Sequence, residues 1–153
     1  MLQLTKRTEY GLIALVHMVD RGGEPLSVRE LCERNPVPKR VMAEVLKDLG
    51  RSDLVESHRG ATGGYSLARA PESITLGEVV AALEGAPALT NCEVSSTLRS
   101  GACEVKPSCP IRSPLQRVHE RLWDLLEHTT LRSLSAPALE RLGAAAEYTS
   151  TPA

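Results

Sequence analysis

The first third of the chain shows the periodicity of amphipathic helices. Between Thr5 and about Asp20, apolar residues recur three or four positions apart, which predicts one helix with an apolar face made of Leu12, Ile13, Leu15, Val16 and Val19. The pair Gly22-Gly23 predicts its end. Ser27 and Glu30 have the spacing of a capping box, in which each side chain binds the backbone N–H of the other residue. A second, short helix is therefore predicted from this box to about Arg34.

A third helix is predicted after the turn Asn35-Pro36-Val37-Pro38, from Pro38 to about Arg51, because proline suits the first turn of a helix. Its buried face is expected to contain Val41, Val45, Leu46 and Leu49. Its other face is expected to carry Lys39, Arg40, Ala43 and Lys47. Two short helices joined by a tight turn, the second of them basic on its outer side, are typical of a helix-turn-helix that binds DNA.

A hairpin follows the third helix. Residues 54–58 and 64–68 are predicted to form two short strands, and the Gly-rich segment between them includes Arg59 and Gly60. Such a hairpin next to a helix-turn-helix is a wing, and its arginine could reach a phosphate or a minor groove. The expected fold class is therefore mainly α with a small β wing, a winged helix-turn-helix.

The second half of the chain predicts a connecting helix, a loop and a long helix. Thr75 and Glu78 form another capping box, so a helix is expected over 75–84, before Gly85. Residues 86–112 have no periodicity. Ser113-Pro114 then begins a helix with a heptad-like apolar stripe suited to dimerisation, formed by Leu115, Val118, Leu122 and Leu125. The expected units are a DNA-binding domain over 1–70, a connecting helix and cysteine-rich loop over 71–112, a dimerisation helix over 113–133 and a tail over 134–153.

Composition excludes several classes of protein. A chain of 153 residues suits one compact domain, and the absence of Phe, with 3% aromatic residues, leaves no stacking platform for single-stranded nucleic acid. No segment has the apolar length of a membrane span or the pattern of a signal peptide, so a cytoplasmic protein is expected. The sequence also contains no phosphate-binding loop, dinucleotide fingerprint or nucleophile–base pattern, which argues against an enzyme.

The charge is unevenly distributed along the chain. Residues 1–70 contain 11 lysines and arginines against 9 acidic residues, a formal charge of +2, and residues 71–153 contain 7 against 10, a charge of −3. The sign suits a DNA-binding N-terminal half, although the difference is small. The expected DNA contacts are Lys39, Arg40, Lys47, Arg59, Gly60 and Ser27. The alternative for Lys39, Arg40 and Lys47 is a solvated helix face.

Three of the four cysteines lie close together in the sequence. Cys92, Cys103 and Cys109 all fall in the loop before the long helix, whereas Cys32 lies in the second helix, where a small buried residue is the simpler interpretation. Clustered cysteines in a cytoplasmic protein indicate metal or redox chemistry, and soft thiolates favour an iron-sulfur cluster or zinc. Spacing alone favours a metal site and unremarkable cysteines equally. The absence of close CxxC pairs argues against a zinc finger.

The order of these parts resembles the Rrf-type winged-helix regulators, a family that includes iron-sulfur cluster regulators of the IscR type and nitric-oxide-sensing repressors of the NsrR type. The resemblance rests on Leu4-Thr5-Lys6 with Glu9-Tyr10, on residues 54–67 around the wing, on Ile74 to Val80 and on the three later cysteines. It covers residues 1 to about 133. The family has a glycine where Asp53 stands here, and the site-tuning glutamate of the IscR type corresponds to Ala43, so the operator sequence cannot be transferred.

The resemblance implies a homodimer bound to double-stranded DNA, with one recognition helix per major groove and Arg59 in the adjacent minor groove. It also implies that Cys92, Cys103 and Cys109 hold an iron-sulfur cluster of two or four irons. No histidine follows Cys109 closely, unlike in the IscR type, so the likeness is to the NsrR type, and Glu9 of the partner subunit is the implied fourth ligand. The alternative for Glu9 is a solvated first-turn carboxylate that the helix dipole favours.

The function expected from the sequence is that of a transcription regulator, most simply a repressor, whose cluster reports redox state, nitric oxide or cluster supply. The alternative is a regulator without a cluster, switched by thiol–disulfide chemistry of the three cysteines or by a protein partner.

Overall fold

The computed structural model describes residues 4–60, 62–85 and 108–135. In chain order they form the helices and strands α1 (Lys6–Asp20), α2 (Val28–Arg34), α3 (Lys39–Arg51), β1 (Val55–His58), β2 (Gly64–Leu67), α4 (Leu76–Glu84), α5 (Arg112–His128) and α6 (Leu131–Ser135). The expected fold class, mainly α with a β wing, is confirmed. No described helix is both long enough and apolar enough to cross a membrane.

Side-chain caps begin three of the helices. The Oγ atom of Ser27 accepts the N–H of Glu30 at 3.2 Å while the Glu30 carboxylate accepts the N–H of Ser27 at 2.9 Å. Thr75 and Glu78 form the same reciprocal pair at the start of α4. Both predicted capping boxes are thus present, and Thr5 caps α1 through its hydroxyl. Each cap satisfies N–H groups that a helix leaves unpaired in its first turn.

The buried face of α1 differs from the predicted one. The residues of α1 that are buried are Thr8, Gly11, Ala14, Leu15 and Met18, whereas Leu12, Ile13, Val16 and Val19 are only partly covered. The helix is therefore rotated by roughly a quarter turn from the expected orientation. The reason lies at Gly11, where a Cβ atom would stand 2.6 Å from Leu83 Cδ1 of α4, so the smallest side chain faces the closest helix. A count of apolar residues cannot show such an approach.

The helix α3 completes the core of the N-terminal half. Its buried residues are Met42, Val45, Leu46 and Leu49, so Met42 replaces the expected Val41, which is only partly covered. They pack with α1, α2 and α4 in one cluster of buried apolar side chains. The predicted exposure of Lys39, Arg40, Ala43 and Lys47 is confirmed. One face of α3 is therefore fixed in the core while the opposite face is open.

The two strands pair antiparallel with Val55 opposite Leu67 and His58 opposite Gly64. Leu26 adds a bridge to Tyr65, with both N–H···O distances at 2.8 Å. The turn from α3 into β1 is closed by the N–H of Leu54, which donates to the carbonyl of Leu49 at 3.1 Å. The wing is thus joined to α3 on one side and to the segment before α2 on the other.

The long helix is shorter than predicted. The expected dimerisation helix extends over 113–133, but α5 ends at His128 and the chain turns back onto the N-terminal half. The carbonyl of Thr129 accepts the N–H of Leu76 at 2.7 Å, and the N–H of Leu131 donates to the carbonyl of Ile74 at 2.9 Å. The side chain of Leu131 is fully buried in the core that includes α1. Packing of this leucine explains why the periodic stripe does not continue as one helix.

Candidate nucleic-acid interface and cysteine segment

One face of α3 presents cationic side chains to solvent. Arg40, Ala43 and Lys47 lie three or four residues apart and therefore on the same side of the helix, opposite the core. Pro38 precedes α3 and supplies no side-chain cap, so the first-turn N–H groups have no side-chain partner. A helix N-terminus in this state is suited to phosphate oxygens. The arrangement can place cations and free N–H groups against a nucleic-acid backbone.

Arg40 already has an intrahelical partner that the sequence analysis did not single out. Its Nε atom lies 3.2 Å from the Glu44 carboxylate, one turn along α3, while its side chain remains 91% exposed. An exposed pair of this kind contributes about 0–1 kcal/mol, so Arg40 can exchange Glu44 for a phosphate at little cost. Lys39 and Lys47 form no ion pair within the described part of the chain. The i, i+4 spacing of Arg40 and Glu44 was a signal that could have been used.

A second ion-pair group fixes α3 against α1. The Asp48 carboxylate accepts a hydrogen bond from Arg7 of α1 and another from Arg51 of α3, the latter at 2.8 Å. Sequence reasoning missed this group, because residues 7 and 48 are far apart in the chain and no periodicity connects them. These two arginines are engaged within the protein, unlike Lys39 and Lys47.

The hydroxyl of Ser27, an expected DNA contact, is occupied by the capping box. It donates to the Glu30 carboxylate at 2.8 Å and accepts the N–H of Glu30. Hydrogen bonds from the backbone and the hydroxyl of Ser27, together with the charge of Arg21, hold the pKa of Glu30 below its ordinary value. A contact between Ser27 and DNA stays a prediction.

The tip of the wing is built for close approach. Gly60 has a φ of +112°, a backbone conformation that side-chain-bearing residues rarely adopt, and the N–H of Gly63 donates to its carbonyl at 3.0 Å. Arg59 and Gly60 are exposed, and Arg59 has no ion-pair partner among the described residues. Three residues separate the end of α3 from the start of β1, and the Leu54–Leu49 hydrogen bond closes this turn, so the cationic face of α3 and the wing arginine lie on adjoining elements.

A polar network on the wing was not expected from the sequence. His58 Nε2 lies 2.8 Å from Ser66 Oγ, and Ser66 Oγ lies 3.2 Å from a Glu56 carboxylate oxygen. The alternation of side chains along a strand was the available signal, because residues 56 and 58 share a face. Only the strand register shows that residue 66 lies on the same face.

Two of the four predicted cluster ligands lie outside the described residues. These two are Cys92 and Cys103, and the structure therefore does not test them. Cys109 is a free, half-buried thiol three residues before α5. Glu9 is paired with Lys6 in the first turn of α1, and this contact raises the pKa of Lys6. No hydrogen bond or ion pair in the described ranges joins Glu9 to Cys109, and the same ranges contain no group of three potential metal ligands.

The first turn of α1 lies beside the end of α4, where the cysteine segment begins. The N–H of Thr5 donates to the Glu84 carboxylate at 2.8 Å. Partial burial of Glu84 opposes its ionisation, but hydrogen bonds from Thr8 and Thr5 outweigh it, so the pKa of Glu84 is lowered. Gly85 then ends α4 with a φ of +82°. The hydrogen bond between Thr5 and Glu84 therefore joins the end of α4, which precedes the cysteine-rich loop, to the helix that carries Arg7 and Glu9.

The helix α5 leaves its apolar stripe open. No described residue of α5 is buried; Val118 and Leu125 are 48% and 43% exposed, and Leu115 and Leu122 are partly covered. Contacts with α4 involve the other side, where Glu127 touches Gly77. A second open apolar region is a cleft of about 350 Å³ lined by Leu12, Ile13, Val16, His17, Asn35 and Leu134.

Comparison with known proteins agrees with this architecture. A family model named Rrf2 and described as an iron-dependent transcriptional regulator matches residues 4–137. An rrf2-like HTH-type transcriptional regulator of Rhodobacter capsulatus is 30% identical, over 87% of this chain and 92% of its own length. CymR (YrzC), the global cysteine regulator of B. subtilis, superposes with a TM-score of 0.68 at 27% identity, over 88% of this chain and 97% of its own. IscR of T. potens, at 24% identity, shares the fold with a TM-score of 0.63, over 99% of this chain and 94% of its own.

Proposed function

Because the chain belongs to the Rrf2 family of transcriptional regulators, we propose that it binds an operator in double-stranded DNA as a homodimer whose affinity is set by an iron-sulfur cluster. Regulators of this family bind DNA and typically act as dimers, and they are not enzymes. The observation that carries the proposal is the open cationic face of α3, next to a wing whose arginine is exposed. We infer that α3 enters the major groove and that Arg59 reaches the adjacent minor groove.

The electrostatic contribution to binding comes from Lys39, Arg40, Lys47 and Arg59, each present twice in a dimer. Cations that neutralise phosphates release condensed counterions, so affinity should fall steeply with salt. Gly60 allows the wing backbone to approach the groove, and Ser27 would contact DNA by exchanging the bond of its hydroxyl to Glu30 for one to a phosphate oxygen. The bases that are read depend on the exposed positions of α3, which include Ala43 and Glu44.

The dimer proposal rests on α5. A helix of 17 residues is about 26 Å long, and a single subunit buries none of its residues. Its stripe of Leu115, Val118, Leu122 and Leu125 repeats at heptad spacing, as in helices that pack against a second helix. Pairing two such stripes would remove large apolar side chains from water, which is the main driving force for association.

The chemistry of the donor set supports an iron-sulfur cluster. Cys92, Cys103 and Cys109 would hold it, since soft thiolates are the usual ligands of such clusters. Glu9 of the partner subunit is the proposed fourth ligand, a harder donor that would leave one iron exchangeable. When bound, the cluster would supply a site that reacts with nitric oxide or oxidants. The family description as iron-dependent points the same way.

The contacts of the chain suggest how the cysteine segment could influence DNA binding. The end of α4, which precedes the cysteine-rich loop, is bonded to α1 through Glu84 and Thr5. In turn, α1 is bonded to α3 through Arg7 and Asp48. A movement of the end of α4 would therefore be transmitted to α3 through two polar contacts, both at the N-terminal end of α1. Coupling free energies between sites are typically about 1–3 kcal/mol, a 5- to 150-fold change in affinity.

A second candidate is a cluster-free regulator in which the same cysteines act as a thiol–disulfide switch. It is supported by the clustering of Cys92, Cys103 and Cys109 in the sequence and by the free thiol of Cys109, both of which a thiol–disulfide switch also needs. Both candidates keep the DNA-binding surface and differ only in the signal.

One experiment separates the candidates. The protein is purified without oxygen, and its visible absorption, iron and sulfide are measured for the parent, for Cys103→Ala and for Cys32→Ala as the matched control. The cluster proposal expects colour and iron in the parent and in Cys32→Ala, and loss of both in Cys103→Ala. A colourless parent after anaerobic reconstitution, with affinity that responds to oxidant, would favour the thiol switch.

The DNA proposal is tested by fluorescence anisotropy over a salt series, with a duplex enriched from a random pool by the parent protein. Arg59→Ala should weaken binding by roughly 1–3 kcal/mol if the side chain reads a groove. The control is Arg29→Ala, an exposed arginine of α2 that is paired with Glu33. Equal affinity of Arg59→Ala and the parent at every salt concentration would contradict the proposed interface.

A further inference from the structure

We propose that His58 is a positioning residue for Arg59, held by Ser66 and Glu56 on the outer face of the wing. The inference rests on the proposed DNA-binding function and specifies how the wing arginine is directed.

The strand register places the three side chains together. Glu56 is opposite Ser66 and His58 is opposite Gly64. Residues two apart on a strand share a face, so Glu56 and His58 lie beside the side chain of Ser66 on one side of the hairpin. Ser66 is only 4% exposed, whereas His58 and Glu56 are exposed. The two outer side chains therefore cover the hydroxyl between them.

Counting donors fixes the direction of the hydrogen bonds. A serine hydroxyl has one proton, and the hydroxyl of Ser66 donates it to Glu56 at 3.2 Å. The contact of 2.8 Å between His58 Nε2 and Ser66 Oγ then requires that the imidazole N–H donates to the oxygen. His58 Nε2 also lies 3.4 Å from the same Glu56 carboxylate. The ring is thus held in one orientation with its proton on Nε2.

The wing needs the contact between His58 and Ser66 because, in the last residue pair of the hairpin, the residue opposite His58 is a glycine and has no side chain. Gly64 faces His58, and a Cβ atom at Gly64 would stand 2.5 Å from the carbonyl oxygen of Leu26. Any larger residue is therefore excluded, and the usual cross-strand side-chain contact is lost at the strand end next to Arg59. His58 replaces it with a diagonal contact to Ser66, which is within reach of a long side chain.

The consequence concerns the backbone from which Arg59 projects. Arg59 follows His58, which is the last paired residue of β1. It precedes Gly60, where the chain turns with a positive φ. A Cβ atom at Gly63 would stand 2.5 Å from the His58 carbonyl oxygen, so the returning strand passes directly behind this residue. Fixing the imidazole fixes the end of the strand and reduces the conformations that Arg59 must lose on binding.

The test is a double-mutant cycle measured by anisotropy with the enriched duplex. His58→Ala should weaken binding about five-fold, the equivalent of one net hydrogen bond. Ser66→Ala, which removes the acceptor, should give a similar loss. In the Arg59→Ala background, His58→Ala should cause no further change beyond about two-fold, because the residue acts through Arg59. His58→Gln keeps an N–H donor near the position of Nε2 and should restore most of the affinity.

The matched control is His128→Ala, which removes an exposed histidine that bonds a backbone oxygen at the end of α5. It should bind like the parent. Two results together would mean that His58 touches DNA directly and would overturn the proposal. The first is that the fold losses of affinity caused by His58→Ala and Arg59→Ala multiply in the double variant, and the second is that Ser66→Ala binds DNA like the parent. Parental affinity of His58→Ala would overturn it as well. Loss of binding by Arg59→Ala alone would leave the wing in the interface, so this failure is distinguishable from failure of the proposed function.

Discussion

Replacement of Leu131 by alanine tests whether α6 is part of the N-terminal core. This side chain is fully buried between α1 and the segment before α4, although the sequence assigns it to the end of a dimerisation helix. The change removes three carbon groups, worth roughly 2.4 kcal/mol at about 0.8 kcal/mol each. The unfilled cavity adds to this, so the free energy of unfolding should fall by about 3 kcal/mol.

The assay is thermal unfolding followed by circular dichroism, at one fixed protein concentration because dimer stability depends on it. A loss of about 3 kcal/mol corresponds to a decrease in Tm of roughly 6–12 °C for a chain of this size. Leu4→Ala makes the same chemical change at a leucine that is 37% exposed and should lower Tm much less. If both variants unfolded at the same temperature, the packing of Leu131 against α1 would be wrong.

Three further predictions concern the wing, a capping box and the dimer. Gly64→Ala forces a Cβ atom to within 2.5 Å of the Leu26 carbonyl oxygen and should destabilise the protein by about 1–3 kcal/mol in urea unfolding, whereas Gly50→Ala, with 3.6 Å to its nearest neighbour, should not. Burial of Glu78 opposes ionisation, but bonds from the backbone of Thr75 and from Arg69 lower its pKa below 4.5, so its contribution to stability is present above about pH 4.5 and lost as the pH falls through the folded-state pKa. Glu78→Gln should accordingly be less stable at pH 7, with the difference closing in acid; a constant difference in unfolding free energy down to pH 2 would contradict this. Leu122→Glu should reduce the mass measured by light scattering to that of one subunit, and an unchanged mass would place the dimer contact elsewhere.

The local features of the DNA-binding half were predictable because each depends on neighbours in the chain. The capping boxes require residues three apart, the helix ends follow glycine and proline, and the hairpin follows two short strands around a Gly-rich segment. The exposed face of α3 was predicted from the spacing of its apolar residues. The cluster ligands stay a prediction, since Cys92 and Cys103 lie outside the described residues.

Contacts between distant residues could not be predicted in this way. The rotation of α1 depends on Gly11 meeting Leu83 of another helix, and the return of the chain after His128 depends on a buried site for Leu131. The polar network of the wing depends on a strand register that sets residue 66 beside residue 58.

The sequence by itself determined where the helices and strands of the N-terminal half form and which face of α3 is exposed, because capping and periodicity act over a few residues. The tertiary structure decided which face of α1 is buried, where α5 ends, and which charged residue of α1 pairs with α3, namely Arg7 with Asp48. These outcomes depend on close packing and on pairing across large sequence separations, which the order of residues does not reveal.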